Sequence, residues 1–194
     1  LTPDFGELQK VKTCRMDGDC RDDKELYIAF DFNANINWVV TGQVYHSDKV
    51  GRDALHVISS MYVKNDRKLR ELCQDWCRYY APHKAKNRRV TFFYDHTAKH
   101  RGYAISGAQD FKDVIIEELT RAGWEVNAVY MGQAPAHELK HKDINESLAG
   151  IGYPFIQFNT ENNEPLIVAM ENTAVSIGYD GFKKDKTHEK APES

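Results

Sequence analysis

Two aspartates stand where apolar strand patterns run out. "ELYIAFDFNANINWVVTGQVYHSD" (25–48) carries a strand pattern into Asp31 and resumes one after "NANIN", while "RVTFFYD" (89–95) is an apolar run closed by Asp95. An ionised carboxylate in a sheet is costly unless a cation or hydrogen-bond donors meet it. In open α/β sheets, sites form outside the carboxyl ends of parallel strands. If the first and fourth strands are neighbours, Asp31 and Asp95 converge on one divalent cation. Hard oxygen ligands suit Mg²⁺ or Mn²⁺, which relieve the repulsion that would otherwise protonate one carboxylate. Two carboxylates plus a third can hold two metals about 3.5–4 Å apart, the arrangement that activates water and stabilises a leaving oxygen in phosphodiester cleavage. The bland alternative stays open: Asp31 would bond the backbone of "NANIN", and Asp95 would open an Asx turn ahead of Thr97.

Other residues compete for a chemical role. His96, Thr97, Lys99, His100 and Arg101 follow Asp95 closely and could contact a DNA backbone or position water, or simply form a solvated loop. Asn33 and Asn35 could orient Asp31 or serve the turn. "HELKH" (137–141) places His137 and His141 one helical turn apart with Glu138 beside the first, a zinc-protease pattern for which Glu171 is the one tempting third ligand. That pattern leaves Asp31 and Asp95 unexplained. Trp76, Tyr79 and Tyr80 read as packing residues rather than a base-stacking platform. Cys14 and Cys20 are spaced too widely for a zinc knuckle, and Cys73 and Cys77 lie one turn apart on one helix face, so reduced thiols are expected.

The elements that must position these residues follow from periodicity. Residues 1–24 are polar and turn-rich, a lead-in. Strands are expected at about 25–32, 37–46 and 54–63, joined by short polar connections into an antiparallel meander. A helix over 66–81 is expected to end at Pro82, and 89–95 reads as a buried strand with parallel neighbours. Helix 108–123 has an apolar face through Phe111, Ile115, Leu119 and Ala122, then strand 124–131, helix 135–150, a short strand 155–159 and a last helix over 163–178. Three consecutive strands followed by alternating helices and strands define a mixed α/β sheet with helices on its faces.

Composition narrows the class. The 194 residues are 41% hydrophobic and 28% charged, which suits one domain with a sizeable core. No apolar run approaches the roughly 18 residues of a membrane span, and no signal-peptide pattern opens the chain, so a soluble intracellular protein is expected. A net charge of −3 argues against a uniformly basic nucleic-acid coat, although "HKAKNRR" (83–89), "KHR" (99–101) and "KHK" (140–142) are local basic clusters. The chain starts at Leu1 and ends on the polar "THEKAPES", and reads as a fragment of something longer.

Three stretches together resemble the nuclease domain of tailed-phage terminase large subunits, members of the ribonuclease H-like superfamily. "YIAFDFNANINWVVTGQV" (27–44) is similar to the family's first strand, catalytic aspartate and hairpin, and "VTFFYDHTA" (90–98) to its fourth strand with the second acid. "APAHELKHKDINESLAG" with "MENTAVSIGYDGFKKDKTHEK" (169–190) resembles the late helical region and a "KDK..E" segment. The resemblance covers about 25–190 and implies a ribonuclease H-like mixed sheet, three antiparallel strands then parallel ones, with helices on both faces. It makes residues 25–194 the nuclease domain and 1–24 a lead-in from a preceding ATPase domain, whose phosphate-loop motif does not occur here.

By the same resemblance Asp31 and Asp95 are metal-binding catalytic acids in a two-metal Mg²⁺ or Mn²⁺ site; His96, Lys99, His100 and Arg101 are expected as DNA contacts from their position directly after Asp95. The family's third acid lies after the "KDK..E" segment; His188 and Glu189 do not reproduce its pattern, Asp180 and Asp185 come too early, and it is expected beyond Ser194 in a chain truncated at its C-terminus. The implied activity is cutting of concatemeric double-stranded DNA during genome packaging, in the host cytoplasm or as a prophage-encoded cytosolic protein. The implied partners are DNA, the ATPase domain, the portal and a small terminase subunit. A catalytically silent DNA-binding module of the same fold is the alternative, a resolvase-like nuclease the nearest competing enzyme.

Overall fold

Alternation of buried and open positions builds the strands. In the computed structural model, which describes residues 20–32, 36–48, 50–64, 68–99, 109–152 and 154–172 and the backbone of 174–178 and 181–185, β1 spans Leu26–Phe32, β2 Ile36–Ser47, β3 Arg52–Lys64, β4 Arg89–Tyr94, β5 Glu125–Tyr130 and β6 Phe155–Phe158. These six strands hydrogen-bond in the order β5-β4-β1-β2-β3-β6. β1, β2 and β3 form the antiparallel part, whereas β4 runs parallel to both β1 and β5, and β6 parallel to β3. The expected meander and the parallel placement of 89–95 are therefore both present.

The helices are α1 Leu69–Tyr79, α2 Ala81–Lys84, α3 Phe111–Arg121, α4 His137–Leu148 and α5 Glu164–Glu171. Two expectations fail here. Pro82 does not stop the first helix: α1 ends before Tyr80, and the proline sits in the first turn of the short α2, where its missing N–H is unneeded. The last helix does not run to Gly178, because α5 ends at Glu171, and 174–178 and 181–185 are instead the antiparallel strands β7 (Ala174–Gly178) and β8 (Gly181–Asp185). The β-branched residues Val175 and Ile177 at alternate positions favour strand over helix. Asn172 closes α5 by donating from Nδ2 to the Val168 carbonyl at 2.9 Å.

The chain divides into two compact units, with β2 and β3 running from one into the other. In the unit made of Cys20–Gln43 and Ser60–Ala134, α1 and α3 cover the sheet face that carries Leu26, Ile28, Val39, Val90 and Phe92, all nearly inaccessible. Trp76 of α1 is fully buried and donates from Nε1 to Thr41 Oγ1 at 2.9 Å, and Phe111 of α3 stacks on Phe32 with ring centroids 4.5 Å apart. Trp76 and Tyr80 are thus core residues, as expected. α1 and α3 are joined by the buried Glu118, which accepts from Arg70 (2.5 Å), Arg121 (2.8 Å) and Gln74 (3.2 Å).

The first described residues are held too: Gln43, fully buried, accepts from the Arg21 N–H and donates to the Arg21 and Lys24 carbonyls. Residues 1–19, most of the expected lead-in, lie outside the described residues. Among the described cysteines Cys20, Cys73 and Cys77 are free thiols, and burial pushes Cys20 up to about 12 and Cys77 to about 11, which makes them poor nucleophiles. Cys14 lies outside the described residues.

The other unit comprises, among the described residues, Val44–Ser59 and those from Pro135 onward. Here Tyr45 stacks on His56 at 3.7 Å, and the fully buried Asn163, ahead of α5, donates to the Val57 and Asn159 carbonyls at 3.0 and 2.8 Å. At the end of α4 Gly150 takes φ 76°, and its carbonyl accepts from Arg52 at 2.5 Å. Among the described residues no helix is long and apolar enough to cross a membrane.

Candidate active site at the carboxyl ends of β1 and β4

The parallel ladder between β1 and β4 pairs Leu26 with Val90, Tyr27 with Thr91, Ile28 with Phe92 and Ala29 with Phe93. Carried two residues further, the same register sets Asp31 against Asp95. Asp31 is the sixth residue of β1 and Asp95 the first residue after β4, so both lie near the same end of the sheet. Strands in a sheet lie about 4.8 Å apart.

Leu26 and Ile28 of β1 and Val90 and Phe92 of β4 fill the core beneath α1 and α3, and the aspartates come after these buried positions. Asp31 is exposed and Asp95 half-buried. A cleft of about 220 Å³ is lined by Ala29, Phe30 and Phe32 of β1, Phe92, Phe93 and Tyr94 of β4, Asp95 and Met131; Asp31 is not among its lining residues. Asp95 is oriented locally: its Oδ1 accepts from the Thr97 backbone N–H at 2.8 Å and from Thr97 Oγ1 at 2.5 Å. The Asx-turn geometry anticipated as the alternative for Asp95 is therefore present, and it coexists with the strand-end placement. Asp31 lies opposite Trp38 in the β1–β2 register.

After Asp95 a single 3-10 turn, His96–Lys99, is anchored by fully buried Ala98. The ends of β4 and β5 are tied together by Met131 N–H to the Tyr94 carbonyl at 2.8 Å and His96 N–H to the Gly132 carbonyl at 3.0 Å, with Gly132 at φ 82°. Lys99 is exposed, its ammonium 3.2 Å from the centroid of the Tyr130 ring. Tyr130 and Met131 did not emerge from the sequence; their signal is two large apolar residues before a glycine at a strand end. Asn33, Asn35, His100 and Arg101 lie outside the described residues, as do Asp180, His188 and Glu189. Asp185 closes β8 opposite Ala174.

The donor set matches a hard divalent cation. Carboxylate oxygens are the right ligand type, and Mg²⁺ is commonly held by one or two carboxylates with water and substrate phosphate completing its octahedron. Among the described residues no three His, Cys, Asp or Glu side chains gather as a metal-binding group. The same holds for the "HELKH" helix: His137 is exposed on α4, and the His141 ring is approached by Asn145 Nδ2 at 3.1 Å.

The chain's sequence matches no known family pattern and no curated protein. Its structure is similar to that of the nuclease domain of g2p, the large terminase of bacteriophage SPP1, determined with bound Mn: TM-score 0.52, 12% identity, covering 97% of this chain and 93% of that one. RuvC of Thermus thermophilus overlaps at TM-score 0.32 with 12% identity over 66% of this chain and 71% of its own. T. thermophilus RuvC in complex with a Holliday junction substrate overlaps at 0.31 with 10% identity, over 76% and 92%. The chain has the ribonuclease H-like fold of the terminase nuclease domain.

Proposed function

We propose that this chain is the nuclease domain of a tailed-phage DNA-packaging terminase, a Mg²⁺- or Mn²⁺-dependent endonuclease that hydrolyses phosphodiester bonds of concatemeric double-stranded DNA in the host cytoplasm. The observation that supports the reading is that β1 and β4 are neighbouring parallel strands, paired as far as Ala29 and Phe93, each followed two residues later by an aspartate, Asp31 and Asp95. The fold shared with a terminase nuclease domain supports it. In this reading the intact protein also carries an ATPase domain and works with a portal and a small subunit.

Asp31 and Asp95 hold the cations through their carboxylate oxygens, and a third acid comes from outside the described residues. A pair of divalent cations bound there would supply a water nucleophile of lowered pKa and charge stabilisation for the departing 3′ oxygen. Thr97 fixes the angle at which Asp95 presents its second oxygen. Lys99, with His96, His100 and Arg101, meets phosphates flanking the cut, so DNA is held with little base readout and affinity falls with salt.

A second reading, a DNA-binding module without activity, is favoured by one observation: no third ligand joins the two aspartates among the described residues. A plasmid-nicking assay with Mn²⁺ separates the two. The chain, a version extended past Ser194, and Asp31→Asn and Asp95→Asn in whichever version cuts are compared. The nuclease reading requires cleavage that both substitutions abolish. Undiminished cleavage by Asp31→Asn, or DNA binding without cleavage by every version, would overturn it.

A further inference from the structure

We infer that Tyr130 is a positioning residue for Lys99, and that together they form a preset phosphate contact on the DNA strand entering the site; the inference rests on the nuclease reading and assigns Tyr130 a role that reading does not need. Tyr130 is the last residue of β5 and lies in register with Tyr94, the residue immediately before Asp95. The two rings are 5.4 Å apart at 37°, so Tyr94 braces Tyr130 from within the sheet. The hydrogen bonds from Met131 to Tyr94 and from His96 to Gly132 lock the two strand ends on either side.

Onto this fixed ring the Lys99 ammonium settles at 3.2 Å from the centroid. A lysine on a solvated turn ordinarily samples many rotamers, and holding one in place costs side-chain entropy. Here the cost is met before DNA arrives. Among the described residues the charge of Lys99 is met by a ring rather than by a carboxylate, so it is not neutralised. An ammonium has three N–H donors, and contact with a ring face leaves outward donors for phosphate oxygens. Tyr130 is 45% and Met131 62% exposed, so the platform faces solvent at the sheet end that carries Asp95.

Binding of a fluorescein-labelled DNA duplex in EDTA, followed by anisotropy across a NaCl series, tests the pairing separately from cleavage. Lys99→Ala is expected to flatten the plot of log affinity against log salt by about 0.9, one phosphate contact. Tyr130→Leu should weaken binding about two- to fivefold, the factor of an exposed cation–π contact, and Tyr130→Phe should restore it because the ring remains. Should Tyr130→Leu fail to fold, Lys99→Met against the parent decides the phosphate contact, and Tyr130→Phe against Tyr130→His decides the ring. A Lys99→Ala slope equal to the parent's, or a Tyr130→Leu protein binding like the parent, overturns the inference while leaving a DNA-cutting parent intact. A parent that neither binds nor cuts DNA overturns the nuclease reading itself.

Discussion

Replacing Thr97 by valine removes one atom that matters to Asp95 and little else. The side chain keeps its shape, and the backbone N–H that donates to Asp95 Oδ1 at 2.8 Å is retained; only the hydroxyl at 2.5 Å is lost. A hydrogen bond to a charged group contributes about 1.5–3 kcal/mol. Thr97 is exposed, so water recovers part of that, and about 1 kcal/mol is the share expected to bear on carboxylate orientation. At 1.4 kcal/mol per decade this is roughly a fivefold loss of Mn²⁺ affinity, near the lower edge of the about 10–100-fold range found when groups orienting a metal ligand are removed. Calorimetric titration with Mn²⁺ measures it directly. Thr97→Ser, which keeps the hydroxyl, should bind like the parent, and the nicking rate of Thr97→Val should recover at saturating metal. Equal Mn²⁺ affinity in Thr97→Val and parent would refute the idea that Thr97 sets the geometry of a metal-binding Asp95, and would leave the turn a purely local device.

Three further outcomes concern the scaffold under the site. Trp76→Phe leaves the buried Thr41 hydroxyl without its 2.9 Å donor and opens a void, a loss of about 2–4 kcal/mol. In a urea-denaturation cycle, Thr41→Val combined with it should cost less than the two single changes added together. Glu118→Gln weakens the bonds from Arg70 and Arg121; because those arginine side chains are 35% and 59% exposed, the expected loss is only about 1–2 kcal/mol, read as a drop in Tm of roughly 2–8 °C. His83 is held below the ordinary imidazole range chiefly by burial, with Asp22 and the Lys24 backbone opposing. Its neutral form is therefore the native one, so stability is full above about pH 6.5, falls as pH drops through that value, and levels off below the depressed native pKa. Denaturation midpoints that do not fall on acidification, or that fall equally in His83→Gln, would contradict this.

How much of this was legible beforehand depends on whether the signal is local. The alternation in β1 to β3 and the apolar run of β4 are forced by core burial, so both strand ends and their aspartates could be read directly. The Asx turn at Asp95 is equally local. The end of the chain reads as one helix because the apolar residues Leu166, Ile167 and Val168 of α5 and Val175 and Ile177 of β7 follow one another with only a short polar interruption. Only the β-branched alternation after Asn172 marks the change. Pro82 is equally ambiguous in sequence, since a proline that ends one helix can as well begin another. The bonds Trp76–Thr41, Arg70–Glu118 and Lys99–Tyr130 join residues 35, 48 and 31 positions apart. Nothing in any one segment announces such contacts, because they exist only once sheet order is set.

The proposed nuclease chemistry requires Asp31 and Asp95 to share a cation. Anomalous diffraction from crystals of the chain soaked in Mn²⁺ addresses it without relying on DNA, partner subunits or turnover. A manganese peak is expected between the two carboxylates, within coordinating distance of both, and should vanish in Asp31→Asn crystals. Manganese bound elsewhere with that gap empty, or side chains of Asp31 and Asp95 diverging to opposite faces of the sheet, would contradict it.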